Sequence, residues 1–281
     1  KTAGRAELSE ERLEQLAALG YITTTVETDE PTEGLPDPVT QLPMLREVEK
    51  ARALLQSGKF AEAHAQVDKI LAESPTFVDM RSMKASMLMQ SGDLKAAYDA
   101  AVALDADHPS TNHKGLIAHI LLRTGRAADA AQVFESIVDI DPYLADSWRG
   151  LLTSLFLAGK IPQLDSAVQK ARSYVPENLS VRTFDGIMKV MKGNTSEAHD
   201  ILTSVLSTNP NQPFVNHSLA LMKRAEGSTD EAEQFLREEI RLHPPAVPAR
   251  RTLVEILAEQ KRYEDQLEQL TAITAVETSN A

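Results

Sequence analysis

Two residue types recur along this chain at intervals of 34 or 33 residues. Glycine recurs at Gly58, Gly92, Gly125, Gly159, Gly193 and Gly227. Proline follows each of these glycines after 17 residues, at Pro75, Pro109, Pro142, Pro176, Pro210 and Pro244. Two phased series of six indicate an internal repeat, in which each structural unit stacks on its neighbours.

The two series mark the ends of two helices in each repeat. Glycine permits the left-handed backbone of a tight turn between helices, and proline ends the second helix because it lacks an N–H. Small residues lie seven before and five after most of these glycines, where paired helices approach closely: Ala51, Ala63, Ala85, Ala97, Ala118, Ala130, Gly186, Ala198, Ala220 and Ala232. The fourth repeat instead has Leu152 and Leu164, which predicts that its two helices are spread apart.

This order of small residue, small residue and proline resembles the tetratricopeptide repeat family over residues 44–246. The family's optional opening tryptophan occurs once, as Trp148. The resemblance implies an all-α fold, a right-handed α-α superhelix of six clear repeats plus a degenerate capping repeat. It also implies that the chain binds other proteins or peptides.

The predicted solenoid spans residues 44–280 and ends in the degenerate seventh repeat. There Lys261 replaces the turn glycine, and the second helix is rich in polar side chains, as expected of a terminal cap with a wet outer face. Ahead of the solenoid, residues 23–43 are rich in proline and acidic residues and are predicted to form an extended linker. Residues 1–22 are predicted to contain one short amphipathic helix.

The string LSEERLEQLAALGYI, at residues 8–22, resembles the closing segment of bacterial sulfatase and phosphodiesterase-type enzymes of the alkaline phosphatase superfamily. Some of those proteins continue into tetratricopeptide repeats. The resemblance implies that this chain is the C-terminal arm of a larger hydrolase, with its catalytic residues upstream, in an extracytoplasmic (periplasmic or exported) location. Because the first residue is Lys1 rather than Met, we also expect a fragment or a processed product.

Composition argues against several functions. The net charge of −12 opposes general binding of nucleic acid. The absence of cysteine excludes thiolate metal sites and cysteine nucleophiles. No run of about 18 apolar residues occurs, so direct membrane insertion is not expected. Since the sequence has no HExxH, P-loop, GxSxG or GxGxxG motif, we expect no catalytic residue, no cofactor and no metal in this chain. His108 and His113 are expected to be solvated loop residues rather than metal ligands.

In the tetratricopeptide repeat family, the first helix of each repeat lines a concave groove. Helical spacing selects the residues that face it. The predicted partner-binding groove comprises Arg52, Met83, Met89, His119, Arg123, Arg149, Phe156, Phe184, Ile187, Phe214, His217, Arg224 and Arg251. Aromatic, Met and Arg side chains are frequent at protein–protein hot spots. We therefore predict a protein or peptide ligand that is apolar and carries some negative charge.

Three alternatives remain open from the sequence. The predicted groove residues could pack helix on helix or meet the chain's own acidic linker. The chain could be a free-standing periplasmic scaffold or assembly factor with no attached enzyme. It could also be an enzyme in its own right, or an appendage that feeds substrate to one.

Overall fold

The structure is a computed structural model that describes residues 38–279, with side chains from residue 44 to residue 278. Helices and short turns make up this described part of the chain, which contains no strand. The helices are α1 (Pro38–Gln56), α2 (Phe60–Glu73), α3 (Val78–Ser91), α4 (Leu94–Asp107), α5 (Thr111–Arg123), α6 (Ala127–Ile140), α7 (Ala145–Leu157), α8 (Ile161–Tyr174), α9 (Leu179–Met191), α10 (Thr195–Thr208), α11 (Val215–Ala225), α12 (Thr229–Leu242), α13 (Val247–Glu259) and α14 (Tyr263–Ser279).

The chain divides into two units, residues 1–49 and residues 50–281. In the first unit, α1 begins at Pro38, inside the stretch that the sequence predicted as a linker up to residue 43. Proline is tolerated at the first helical position because the N–H it lacks has no partner there. The predicted helix in residues 1–22 and the rest of the linker lie outside the described residues.

Each repeat of the second unit consists of two helices joined by a short turn. All six turn glycines have a left-handed backbone, with φ between 67° and 88°. Each proline of the second series lies two residues beyond the end of a second helix, as Pro75 does after α2 and Pro244 after α12. Consecutive helices pack together to give an α-α superhelix, so the predicted fold class is confirmed.

The core consists of small and large apolar residues on the facing sides of these helices. The small residues of the repeat are all buried, and bulkier side chains such as Phe134 and Trp148 fill the spaces between repeats. In the fourth repeat, α7 and α8 contact each other less extensively than the helix pairs of repeats two, three, five, six and seven. The predicted spreading of this helix pair is therefore confirmed.

The seventh repeat keeps the helix pair without the glycine turn. Lys261 adopts the left-handed backbone that glycine has elsewhere, with φ 61°. The outer face of α14 carries Glu264 and Glu268, but it also exposes Tyr263 and Leu267. The expectation of a polar outer face on the capping repeat is therefore corrected, because large apolar side chains are exposed there beside the acidic ones.

Candidate partner-binding groove

A cavity of about 810 Å³ lies between the third, fourth and seventh repeats. The C-terminal ends of α5 and α7 form one side of it, and the start of α13 and the last turns of α14 form the other. It is lined by Leu122, Arg123, Gly125, Ala127, Thr153, Phe156, Leu157, Gly159, Pro245, Val247, Pro248, Arg251, Val276 and Glu277. Repeats that are distant in sequence thus face each other across one cavity. We call this cavity the groove pocket.

The groove pocket contains three of the residues that the sequence assigned to the groove: Arg123, Phe156 and Arg251. Phe156 is half-buried, while the two arginines are exposed. The walls around them are mostly apolar, with Leu122 and Val247 among them. Convergence of apolar walls with a few charged groups is typical of binding sites in proteins.

Three phenylalanines from successive repeats form a cluster beside this pocket. The ring centroids of Phe156 and Phe184 lie 5.8 Å apart, those of Phe156 and Phe214 5.3 Å apart, and those of Phe184 and Phe214 5.7 Å apart. Edge-to-face and tilted pairs at these distances are favourable because the positive edge of one ring meets the negative face of another. Phe156 belongs to both the cluster and the groove pocket.

The backbone at Phe214 is unusual. Its φ is 69°, a left-handed value that bulky side chains rarely adopt. The residue before it is Pro213, and α11 begins only at Val215. The Phe214 N–H donates a hydrogen bond of 2.7 Å to Oε1 of Glu239 on α12. This bond satisfies a backbone donor at the start of the helix and helps to hold Phe214 in the conformation that places its ring in the cluster.

Glu239 occupies a position that is otherwise apolar in the second helices. The equivalent residues, 12 after each turn glycine, are Ile70, Leu104, Ile137, Ala171 and Val205. Like them, Glu239 is buried. Burial raises the pKa of its carboxyl group, and the nearby N–H groups of Phe214, His217 and Asn216 oppose that rise. Its Oε2 atom has no hydrogen-bond partner among the described residues.

Three residues that the sequence assigned to the groove are buried instead. Phe184 is 1% exposed, Ile187 is 4% exposed and His217 is 5% exposed. Phe184 and Ile187 lie in the main apolar core, because their face of α9 packs against the neighbouring repeats. His217 Nε2 lies 3.0 Å from Thr252 Oγ1 on α13. The assignment of these three side chains to an open groove surface is therefore corrected.

The protonation of His217 follows from its position. Burial lowers the pKa of its imidazole to about 4, since the charged form loses its hydration. His119 has a pKa below the usual value as well, through partial burial and then through the charge of Arg149. The His119 ring packs edge-on against Phe134, with centroids 5.2 Å apart, while its outer part stays exposed.

Most of the arginines assigned to the groove have acidic partners. Arg224 pairs with Glu255 and Glu259 at 2.6 Å each, and the other pairs are Arg251 with Glu277 at 2.9 Å, Arg149 with Asp146 at 3.2 Å and Arg52 with Asp79 at 3.9 Å. The expected excess of positive charge is therefore largely offset. Arg123 differs, because no carboxylate lies within ion-pair distance of it among the described residues. Its guanidinium donates to the carbonyl of Met89 in the preceding repeat.

The remaining assigned residues lie along the first helices of earlier repeats. Met83 and Met89 on α3 are half-buried, and Met89 packs against the main core.

His113, which was expected to be solvated, is buried, and its Nδ1 lies 2.7 Å from the carbonyl oxygen of His108. No group of three or more His, Asp or Glu side chains suited to a metal ion occurs within the described residues. None of the described helices combines the length and the apolarity needed to cross a membrane.

Sequence reasoning missed two features of this region. It did not place the seventh repeat opposite the third and fourth, because the curvature of a solenoid accumulates over many repeats. It also missed Glu239, although a signal was present: a charged residue interrupts a series of apolar residues at one repeat position. Comparing each repeat position along the chain reveals this interruption.

Paired helices that stack in 34-residue steps and enclose a groove define the class of α-solenoid proteins. Residues 48–109 and residues 96–145 match the family model of the tetratricopeptide repeat. Residues 48–145, the first three repeats, therefore carry the sequence pattern of that family, and the chain as a whole has an α-α superhelix of the same kind.

Known proteins share this fold at low sequence identity. A tetratricopeptide repeat protein from Parabacteroides merdae superposes with a TM-score of 0.66 at 13% identity, over 84% of this chain and 97% of that one. A chain of the APC/C hetero-tetramer Cut9–Hcn1 superposes with a TM-score of 0.54 at 20% identity, over 83% of this chain and 46% of that one.

One curated relative is similar in sequence. Cellulose synthase 1 operon protein C of Komagataeibacter xylinus is 28% identical over 164 residues, covering 53% of this chain. The match spans only 12% of the length of that relative.

Proposed function

We propose that this chain is a protein-interaction module that holds an extended peptide segment in the groove pocket. Tetratricopeptide repeat proteins generally mediate protein–protein interactions, and this chain has their fold. The observation that carries the proposal is the cavity of about 810 Å³ that joins Arg123, Phe156 and Arg251. Its volume falls in the range of about 300–1,000 Å³ found for ligand sites.

The shape of the pocket favours a narrow ligand. Its walls come from repeats three, four and seven, so an occupant is enclosed by more than one side of the solenoid. An extended segment can enter such a space, whereas a globular surface can contact only its rim. The proposed partner is therefore a protein that offers an extended stretch of chain.

The chemistry of the lining favours an apolar side chain beside an acidic group. Leu122, Phe156 and Val247 supply apolar surface. Arg123 supplies a guanidinium without a carboxylate partner among the described residues, and a ligand carboxylate would make a charge-assisted hydrogen bond to it. The alternative occupant, the chain's own acidic residues, is an outcome of the same experiment.

A peptide-display selection against the intact chain tests this proposal. We expect the selected peptides to combine large apolar residues with Asp or Glu. In fluorescence anisotropy, Phe156→Ala is expected to weaken their binding by about tenfold or more. Arg123→Gln should abolish the preference for acidic over amide side chains in the peptide.

The matched control is Val102→Ala, which truncates an exposed apolar side chain on α4, away from the pocket. Unchanged affinity in Phe156→Ala and Arg123→Gln would overturn the groove assignment. If removal of residues 1–37 markedly raises the affinity, the chain's own N-terminal segment competes for the pocket.

We further propose that the module is the arm of an exported, sulfatase-like bacterial hydrolase. The resemblance of residues 8–22 to the closing segment of such enzymes supports this proposal, although that segment lies outside the described residues. The competing proposal is a free-standing scaffold with no enzyme attached.

An immunoblot of fractionated source cells, with an antibody raised against this chain, separates the two proposals. A band far above 30.8 kDa in the extracytoplasmic fraction supports the hydrolase arm. A band near 30.8 kDa in that fraction leaves either the free-standing scaffold or a proteolytic product of a longer chain. A cytoplasmic signal contradicts the proposed location in either case.

A further inference from the structure

The first helix of repeat six is shorter than those around it. Helix α11 has 11 residues, whereas α3, α5, α7, α9 and α13 have 13 or 14. It begins at Val215, five residues after Pro210, and those five helices begin two or three residues after the proline that precedes them. A non-helical segment that ends at Phe214 therefore replaces the start of this helix.

Glu239 compensates for the missing start of α11. The free N–H groups in the first turn of a helix are often bound by the side chain of its N-cap residue, as Asn178 does for α9. Phe214 holds that position in α11, and its side chain has no acceptor. The carboxyl group of Glu239 accepts the Phe214 N–H and also lies beside the N–H groups of Asn216 and His217. A residue of the second helix thus takes the place of the cap.

This contact holds a conformation that Phe214 would otherwise leave. A left-handed backbone is costly for a bulky residue, and hydrogen bonds to a carboxylate are stronger than those between neutral groups. The direction of the Cβ atom follows from the backbone, so a return to negative φ would turn the Phe214 ring away from Phe156. The two rings now meet edge to face, and Phe156 is the member of the cluster that lines the groove pocket.

We propose that Glu239 is a positioning residue of the groove pocket and sets its preference for large apolar side chains of the ligand. Glu239 fixes the backbone of Phe214, the Phe214 ring supports Phe156, and Phe156 offers the ligand a surface that is already ordered. Glu239 itself does not line the pocket. The inference rests on the proposed function, because it concerns how the pocket receives an apolar side chain.

The register of the repeats supports this role. The five earlier repeats have an apolar residue at the position of Glu239, so a buried carboxyl group is not needed to build the helix pair. The departure occurs in the repeat whose first helix starts late and whose phenylalanine has the left-handed backbone. A local rule broken in this way is expected where a site is being positioned.

The probe is the tightest-binding peptide of the display selection, labelled with fluorescein and measured by fluorescence anisotropy with the intact chain. Two further versions of this peptide are compared with it. One has alanine in place of its large apolar residue, and the other has the amide in place of its acidic residue. The first comparison reports on the surface of Phe156, and the second reports on Arg123.

Glu239→Leu removes the acceptor and installs the residue that repeat two has at this position, Leu104. We expect it to weaken the probe about tenfold and to reduce the preference over the alanine version about threefold or more. The preference over the amide version should stay unchanged, since Arg123 is held by α5. Glu239→Gln keeps a carbonyl acceptor and should bind the probe within about threefold of the wild type.

A double-mutant cycle tests whether the effect passes through Phe214. Phe214→Ala is expected to weaken the probe about as much as Glu239→Leu, and the two substitutions together should add nearly nothing to either one. Glu238→Leu is the matched control, because it makes the same chemical change one residue away, where the side chain is 45% exposed and pairs with Arg241. It should leave the affinity unchanged.

The outcomes separate this inference from the proposed function. If Phe156→Ala weakens the probe but Glu239→Leu leaves its affinity and its apolar preference unchanged, the positioning role is overturned and the proposed function stands. A loss in Glu239→Gln as large as in Glu239→Leu, or full additivity with Phe214→Ala, also overturns it. If Phe156→Ala has no effect, both fail. Should Glu239→Leu not fold, Glu239→Ala removes the same acceptor with the residue that repeat four has there, Ala171, and carries the same expectations.

Discussion

Repeats one to three and repeats four to seven follow the same 34-residue pattern to different extents. Residues 48–145 match the family model and keep every small residue and turn glycine in place. Beyond residue 145, leucine occupies the two small positions of repeat four, a buried carboxyl group appears at Glu239, and a left-handed lysine replaces glycine at Lys261.

The features proposed to bind a partner lie mostly in the second region. The phenylalanine cluster spans repeats four to six, and most of the groove pocket comes from repeats four and seven. Departures from a local rule are expected where function opposes stability. The regular repeats serve as the support, and the irregular ones carry the strained backbone of Phe214 and the buried Glu239 beside the candidate site.

The largest effect is expected where repeat four departs from the small-residue pattern. Leu164 is fully buried, and Leu164→Ala leaves a cavity between helices that are already spread apart. We expect the free energy of unfolding to fall by about 2–5 kcal/mol in urea titrations. A loss well below this range means that α7 and α8 close together and that another feature sets their separation.

The reciprocal change in the regular region serves as a control. Ala130 holds the equivalent position in repeat three and is also fully buried. Ala130→Leu has no space to fill, so overpacking is expected to destabilise the chain by about 1–3 kcal/mol. If the Leu is accommodated without loss, the two regions do not differ in how their helix pairs are spaced.

The dependence of the free energy of unfolding on pH tests the two buried titratable side chains of repeat six, His217 and Glu239. The folded-state pKa of His217 is lowered to about 4 from 6.5, so neutral His217 contributes stability above pH 6.5 that is lost as the pH falls towards 4. The difference in pKa corresponds to about 3 kcal/mol at most. The variant His217→Gln keeps a polar group near Thr252, and we expect it to lack this part of the stability loss at low pH.

Glu239 acts with the opposite sign. Its folded-state pKa is raised, so it contributes stability that is present at low pH and lost as the pH rises through that pKa. The free energy of unfolding of Glu239→Gln should therefore fall more steeply than that of the wild type as the pH is lowered. A variant whose unfolding follows the wild-type pH profile would show that the carboxyl group titrates alike in the folded and unfolded states.

Two helical glycines offer a sharper comparison between the regions. A Cβ atom on Gly150 would lie 2.3 Å from the ring of the buried Phe134, whereas nothing lies within 4 Å of one on Gly115. Gly150→Ala in repeat four is expected to lower the free energy of unfolding by about 1–3 kcal/mol. Gly115→Ala in repeat three should raise it by about 0.5–1 kcal/mol, because alanine favours helix. Equal shifts in thermal unfolding would show that Phe134 moves aside freely.

The sequence predicted the helix pairs well because their signals are local. A turn glycine or a terminating proline acts through its own backbone, so the bounds of the helices follow from the two series. It also predicted the spread of repeat four, because Leu152 and Leu164 replace the two small residues of one helix pair. These inferences require no knowledge of how distant repeats meet.

The candidate site was harder to predict because it depends on long-range geometry. Spacing along a helix identifies a face but does not show whether a neighbouring repeat covers it, which is why Phe184, Ile187 and His217 were assigned to an open groove. Likewise, the acidic residues that neutralise Arg224 come from the following repeat. Arg123 and Phe156 line the groove pocket, and their assignment to a partner-binding groove stays a prediction.

The smallest effect is expected at the turn of repeat seven. Lys261 has φ 61°, a conformation that costs a side-chain-bearing residue roughly 1–2 kcal/mol. Lys261→Gly relieves this strain but also makes the unfolded chain more flexible, so we expect a net gain of about 0.5–1 kcal/mol in urea titrations.

Gly227→Lys places the same side chain in the equivalent turn of repeat six, where φ is 82°, and is expected to lose about 1 kcal/mol. Opposite signs for the two substitutions mean that one backbone rule governs both turns and that repeat seven breaks it at a cost to stability. If Lys261→Gly also destabilises, the lysine side chain makes a contact that glycine cannot replace. The irregularity of the last repeat would then be part of its packing rather than a strained remnant of the pattern.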